Sequence, residues 1–145
     1  MIRSALLLVA LLFPATLVTG CGSLSGAGAP SVDGSLGELP GDWRVMELQG
    51  QVLVDGVELS LAFDEDGAFS GESGVNRLRA TYTETDGGLV FSPVLATRMA
   101  GRPELMEQEE RLLDALERTR SFTLRSGRLG LIDGAGIMLL AARRR

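Results

Sequence analysis

The chain has 145 residues, 45% hydrophobic and 23% charged, which is the balance of one globular domain. Its 19 acids against 14 basic residues give a formal net charge of -5, a poor match to nucleic acid, whose phosphates demand cations. Histidine is absent, every basic residue is arginine and Cys21 is the single cysteine, so a histidine-based triad, a Cys/His pair, a His- or Cys-ligated zinc site, a Schiff-base lysine and a P-loop lysine cannot be built.

Residues 1–20 read as a signal peptide. Arg3 supplies a positive n-region, and Ala5 to Phe13 is an unbroken apolar run. A membrane span needs roughly 20 apolar residues, whereas a signal h-region needs about 7–15. Pro14 breaks the run, and Leu17-Val18-Thr19-Gly20-Cys21 resembles a bacterial lipobox. Such a signal is cleaved between Gly20 and Cys21, and the Cys21 thiol carries diacylglycerol while its freed amine takes a further acyl chain. The alternative is an ordinary secreted chain with an incidental cysteine. The expected partner is therefore membrane lipid, reached through acylated Cys21. Gly22, where an Asp would favour the inner membrane, implies the outer membrane if the source is Gram-negative.

Residues 21–41 are rich in Gly, Ser and Pro and read as a flexible tether. The domain proper is expected over residues 42–142. Val57, Leu59, Leu61 and Phe63 alternate with Glu58, Ser60 and Ala62, the period of a strand with one buried face. Asp55-Gly56 signals a hairpin joining Val52–Val54 to that strand, and Asp66-Gly67 a turn into Ala68–Ser70. Leu78–Tyr82, Leu89–Phe91, Phe122–Leu124, Leu129–Ile132 and Ile137–Ala141 continue an antiparallel meander. Between them, Pro103 to Thr119 carries Leu105, Met106, Leu112, Leu113 and Leu116 at helical spacing, with Pro103 suited to the first position. The fold class expected is α+β, mostly β: a curled, barrel-like antiparallel sheet packed around one helix. Arg143–Arg145 reads as a frayed basic tail, with contact to anionic lipid headgroups near a membrane as the alternative.

Three segments carry a family resemblance. Gly71-Glu72-Ser73-Gly74-Val75-Asn76-Arg77 resembles the Gly-x-x-Gly-Cys-Asn-x signature of the META/HslJ-like domain. Thr97-Arg98-Met99-Ala100-Gly101 resembles that family's Thr-x-Met-Ala-Cys segment, and Met106, Glu109, Leu112, Leu113 and Leu116 match the helix that follows. The motif positions are Gly74, Val75, Asn76, Thr97, Met99 and Gly101. The resemblance implies a β-rich domain curled around one helix, located in the bacterial envelope, often as a lipoprotein linked to stress or antibiotic tolerance, without established catalysis. Both family cysteines are replaced here, by Val75 and Gly101, which implies that they act as a disulfide pair. Burial of Val75, Met99 and the helix leucines is expected to compensate for the missing bridge.

Among candidate sites, Asp64-Glu65-Asp66-Gly67 lacks the ligand spacing of a calcium loop and reads as a hairpin turn. Glu107, Gln108 and Glu110 fall largely on the solvated helix face. Glu109 falls on the apolar stripe, where a carboxylate needs a partner. Arg77 and Arg98, from the two motif loops, are the partners expected, forming with Asn76 and Glu109 a structural polar cluster; a ligand site on the same residues is the alternative. No cofactor and no metal are expected. The function expected is a monomeric, non-enzymatic envelope lipoprotein that supports envelope integrity or stress tolerance by binding an envelope protein not identified by the sequence. A lipocalin-like carrier of a small apolar ligand is the alternative, and a carboxylate-based glycosidase a remote one.

Overall fold

The computed structural model describes residues 38–85 and 88–145. The expected signal peptide, its expected Gly20–Cys21 cleavage site and most of the expected tether lie outside the described residues. The strands are β1 (Gly41–Leu48), β2 (Gln51–Val52), β3 (Ser60–Phe63), β4 (Ala68–Glu72), β5 (Arg77–Thr85), β6 (Gly88–Phe91), β7 (Leu95–Ala96), β8 (Thr119–Arg125), β9 (Arg128–Asp133) and β10 (Met138–Arg144). A single helix, α1 (Pro103–Arg118), joins β7 to β8. All pairings are antiparallel, in the order β6-β5-β4-β3-β1-β10-β9-β8. The strand β1 therefore lies between two meanders, and the outer strands β6 and β8 approach each other to give a nearly closed barrel.

Period-two burial makes the inner face. Leu61 and Phe63, Phe69, Leu78 and Tyr82, Phe122 and Leu124, and Leu140 and Ala142 all point inward. Phe63, Phe69, Tyr82 and Phe91 meet edge to face or tilted, with centroids 5.0–6.0 Å apart. Helix α1 lays Leu112, Ala115 and Leu116, all fully buried, into the same core and touches β1, β6 and β9. Its other face, with Glu107, Glu110 and Glu117, is exposed. The helix and the aromatic cluster fill the curled sheet, which is where a lipocalin-like carrier would need its cavity. Among the described residues the core runs from Leu39 to Ala142.

Three expectations change. Asp55-Gly56 does form a turn, yet it joins no hairpin: β2 pairs with β1, and the Val54 N–H is taken by Gln108 Oε1 of the helix at 2.7 Å. The strand expected from Val57 begins only at Ser60. The domain also starts before residue 42 and ends after 142, for the basic end is not a frayed tail. Arg143 and Arg144 belong to β10, and the Arg145 N–H donates to Asp42 O at 3.0 Å. The reason is Trp43. Its buried indole donates to Leu39 O at 2.9 Å, and the Arg144 guanidinium covers the ring at 4.5 Å. That guanidinium also donates to Pro40 O at 3.0 Å and to Glu38 O, closing the chain start onto the chain end.

At the far end of α1, Asp133 ties the β9–β10 turn to the helix. Its Oδ1 accepts from the N–H groups of Ile137 and Ala135, and its Oδ2 from Arg118 at 2.9 Å. The Ile137 N–H above all, with Arg118 and Ala135 and against the cost of burial, holds this carboxyl below its ordinary value. Burial, with Asp64, Asp66 and Glu65 nearby, pushes the Tyr82 hydroxyl up.

Arg144→Ala removes the lid over Trp43 and two donors to the entering chain. It should lower stability by about 1–2 kcal/mol in urea unfolding. An unchanged midpoint would restore the frayed-tail reading.

Candidate functional site

The two motif segments and the helix meet at one buried point. The loop between β4 and β5 holds Ser73-Gly74-Val75-Asn76, closed by Glu72 opposite Arg77. The Ser73 N–H donates to Asn76 O at 2.9 Å, and Ser73 Oγ accepts from the Asn76 N–H at 2.9 Å. This self-bonded turn is what a short hydroxyl residue does well. Gly74 is required in it. Its φ is +89°, and a Cβ there would lie 2.3 Å from Val57 Cγ1.

The turn aims Asn76 at both other segments. Asn76 Oδ1 accepts from Thr97 Oγ1 and from the Met99 N–H, each at 2.8 Å. Asn76 Nδ2 donates to Met99 O at 3.2 Å and to Glu109 Oε1 and Oε2 at 2.9 and 3.0 Å. Ser73 Oγ donates to Glu109 Oε2. Asn76 and Glu109 are 3% and 5% exposed, and Ser73 is fully buried. The helix places Glu109 on its buried stripe between Leu105 and Leu112, as its periodicity requires. Thr97 completes the knot by accepting the Arg77 N–H at 3.1 Å.

The partners expected for Glu109 are not the ones found. Arg77 is exposed and stands 4.0 Å from Glu72, and Arg98 is exposed on the loop. Among the described residues no arginine pairs with Glu109. A short amide and a hydroxyl on a tight turn reach the helix with little loss of side-chain freedom, whereas long guanidinium chains keep their hydration by staying outside. Met99 also differs: its backbone is bound, but its side chain is 59% exposed and adds little to the core.

Two residues of the site escaped the sequence reading. Ser73 sits three positions before Asn76, the spacing of a hydroxyl-capped turn, and that signal was available. Gln108 looks like part of a solvated acidic face, yet it is fully buried, holding Val54 through Oε1 while its Nε2 has no partner among the described residues. Beside the knot runs an open groove of ≈ 570 Å³, with Asn76 and Glu109 at its floor and Leu95, Met99 and Met106 along its sides.

The META domain matches residues 37–145, three quarters of the chain and every described element. The chain belongs to the META domain family. No curated protein matches it. A protein from Burkholderia xenovorans solved by NMR is similar, with a TM-score of 0.64 and 23% identity over 83% of this chain and 94% of that one. A second protein solved by NMR has a TM-score of 0.58 and 20% identity over 72% of this chain and 88% of that one. These likenesses show the fold. The helix and curled sheet of this META domain agree with what the motifs implied.

The same geometry explains the two replaced cysteines. A Cβ placed on Gly101 would lie 3.4 Å from Val75 Cβ, at the short edge of the ~3.5–4.5 Å range of bridged cysteines. It would lie 2.6 Å from Val75 Cγ2, so the valine occupies the room that a side chain at 101 would need. Gly101 is not among the residues of positive φ, so its backbone accepts a cysteine. The two replacements therefore complement each other in volume. Val75→Cys with Gly101→Cys should form a disulfide under air oxidation and raise stability by up to about 3–4 kcal/mol for a loop of this length. Gly101→Cys alone should destabilise, because Val75 is still in place. A double variant that keeps two free thiols by thiol titration would contradict this packing.

Proposed function

We propose that this META domain protein is a lipid-anchored component of the bacterial cell envelope that supports envelope integrity or stress tolerance by binding, not by catalysis. The observation that carries the reading is that the family's polar motif residues are spent on one another. Ser73, Asn76, Thr97 and Glu109 saturate each other's hydrogen bonds, so the motif builds a shape. A glycosidase needs a carboxyl group free to give or take a proton at a sugar oxygen. Glu109, the buried carboxylate of the motif, has both oxygens engaged inside the protein.

The anchor rests on the sequence. Arg3, the Ala5–Phe13 run and the small residues before Cys21 align as a lipoprotein signal. Each buried CH₂ of an acyl chain contributes about 0.8 kcal/mol, so chains attached at Cys21 hold the domain at the bilayer without a spanning helix. Among the described residues no helix is long and apolar enough to cross a membrane.

Cys21→Ser should leave the precursor without lipid and shift the protein from the membrane pellet to the soluble fraction after a carbonate wash. Mass spectrometry of the wild-type protein should show the added acyl mass on the peptide that begins at Cys21. A Cys21→Ser variant that stays in the pellet would overturn the lipoprotein reading.

A further inference from the structure

Among the described residues the barrel is not closed by backbone pairing. Its outer strands β6 and β8 lie side by side unpaired, and β7 pairs with β5 alone. The open edge continues past β7. Leu95 pairs with Arg79, the Thr97 N–H donates to Arg77 O at 3.1 Å, and the Met99 N–H donates to Asn76 Oδ1 at 2.8 Å. Every second residue thus bonds toward β5 and its turn. Successive amides of an extended chain point to opposite sides, so those of Ala96, Arg98 and Ala100 point away. The N–H groups of Arg98 and Ala100 have no partner among the described residues, and both residues are exposed. From Val94 to Ala100 this edge is about 20 Å long, enough for one ordinary strand.

The edge has a wall opposite it. The groove beside the knot is lined by every residue from Val94 to Ala100, and on the helix side by Met106 and Glu109. A second cavity, of ≈ 500 Å³, begins at the same Val94. It lies between Val90, Phe91 and Pro93 of the strand side and Leu113 and Glu117 of the helix. Met106, Glu109, Leu113 and Glu117 are three or four residues apart, which makes them one stripe of α1. Strand edge and helix stripe therefore flank a single trough. The helix admits one strand there and shuts out the edge of a second barrel, which carries its own helix alongside.

Charge along the trough is balanced. One end holds Arg98 and Glu109, whose carboxylate is already bonded to Ser73 and Asn76. The other holds Glu117 and Arg120, whose guanidinium donates to Glu117 O and Thr119 O at 2.7 Å. Nearby, Arg77 and Arg102 each stand against an acid of their own, Glu72 and Glu104. The trough does not select an ion. It offers unpaired backbone along one side and apolar surface from Leu95 and Met99, 72% and 59% exposed, with Met106 and Leu113 across from them.

We propose that this trough binds one extended polypeptide segment, aliphatic at alternate positions, which adds a strand to the free edge of residues 94–100 between β7 and α1. The proposal rests on the reading of this domain as a binding module and names the chemistry of its partner. In such an added strand, main-chain hydrogen bonds supply affinity and alternate side chains supply the fit. The motif residues then have a purpose beyond the core. Asn76 and Thr97 hold the inner side of the segment, and so keep its outer side straight and unpaired. The charge of Arg98 on that outer edge guards it against indiscriminate pairing.

The test uses residues 21–145 with Cys21→Ser, which retain every described residue, and a synthetic heptapeptide of alternating threonine and valine. Titration followed by NMR should shift the Arg98 and Ala100 amides and slow their exchange with solvent. The same peptide N-methylated at every residue cannot pair as a strand and should not bind. Arg98→Pro removes a donor from the edge and no bond within the domain, so it should melt like the wild type and weaken binding about tenfold. Arg98→Gln keeps the donor and should bind like the wild type. No binding, equal binding of the N-methylated peptide, or shifts that leave the Arg98 and Ala100 amides unmoved would overturn the proposal. If Arg98→Pro does not fold, those two amides in the wild type decide the matter. Because the assayed protein has no anchor, a failure of the lipoprotein reading appears in the Cys21→Ser fractionation and not in this assay.

Discussion

The amide of Asn76 bonded to the carboxylate of Glu109 is the contact on which this domain turns. Asn76 leaves a tight turn, and its two polar atoms bind the Thr97–Met99 segment and the helix together. Without it, the Ser73–Glu109 bond would be the one polar tie left between the turn and the helix at this point, and the Thr97–Met99 segment would lose three of its bonds to the turn. Apolar burial is strong but undirected, so a core of leucines alone tolerates small rotations of the helix. A fully satisfied polar group inside that core does not. The knot thus fixes the phase of α1. The phase in turn sets which side chains fill the curled sheet and which face, with Glu107, Glu110 and Glu117, is left to solvent.

A second tie acts at the other pole. Trp43 is covered by Arg144 and bonded to Leu39, so the first and last strands close over the chain's entry point. The strand β1 is paired on both sides and shares the burial of both meanders. These two ties divide the work. One registers the helix against the sheet, and the other registers the two halves of the sheet against each other. The replaced cysteine pair lies next to the first tie, where Val75 fills the space beside Gly101. Dispersion between the Val75 methyl groups and the Gly101 backbone holds the two segments together there.

Much of this was legible in the residues, for physical reasons that can be named. The helix was readable to within one residue because Pro103 starts it and its leucines keep a strict period. The burial of Glu109 followed from the same period. Its partners did not, because periodicity tells which face a residue occupies and is silent on what meets it there; charge pairing then pointed to the arginines. The first strand was hidden by a bulge. The register shifts between Val45 and Glu47, and the exposed Met46 breaks the alternation that Trp43 and Val45 begin. Val57 to Leu59 alternates correctly and yet is not strand, because Gln108 takes the Val54 N–H and draws the segment to the helix.

A double-mutant cycle between Asn76 and Glu109 tests the central claim most directly. Urea unfolding of Asn76→Ala, Glu109→Ala and the double variant gives three stability changes. Each single change leaves a buried polar partner stranded and should cost about 2–4 kcal/mol. The double variant strands neither of the two, so it should cost little more than the worse single, a coupling of about 1–3 kcal/mol. Additive losses would mean that the two side chains act independently, and that their contact does not set the phase of the helix.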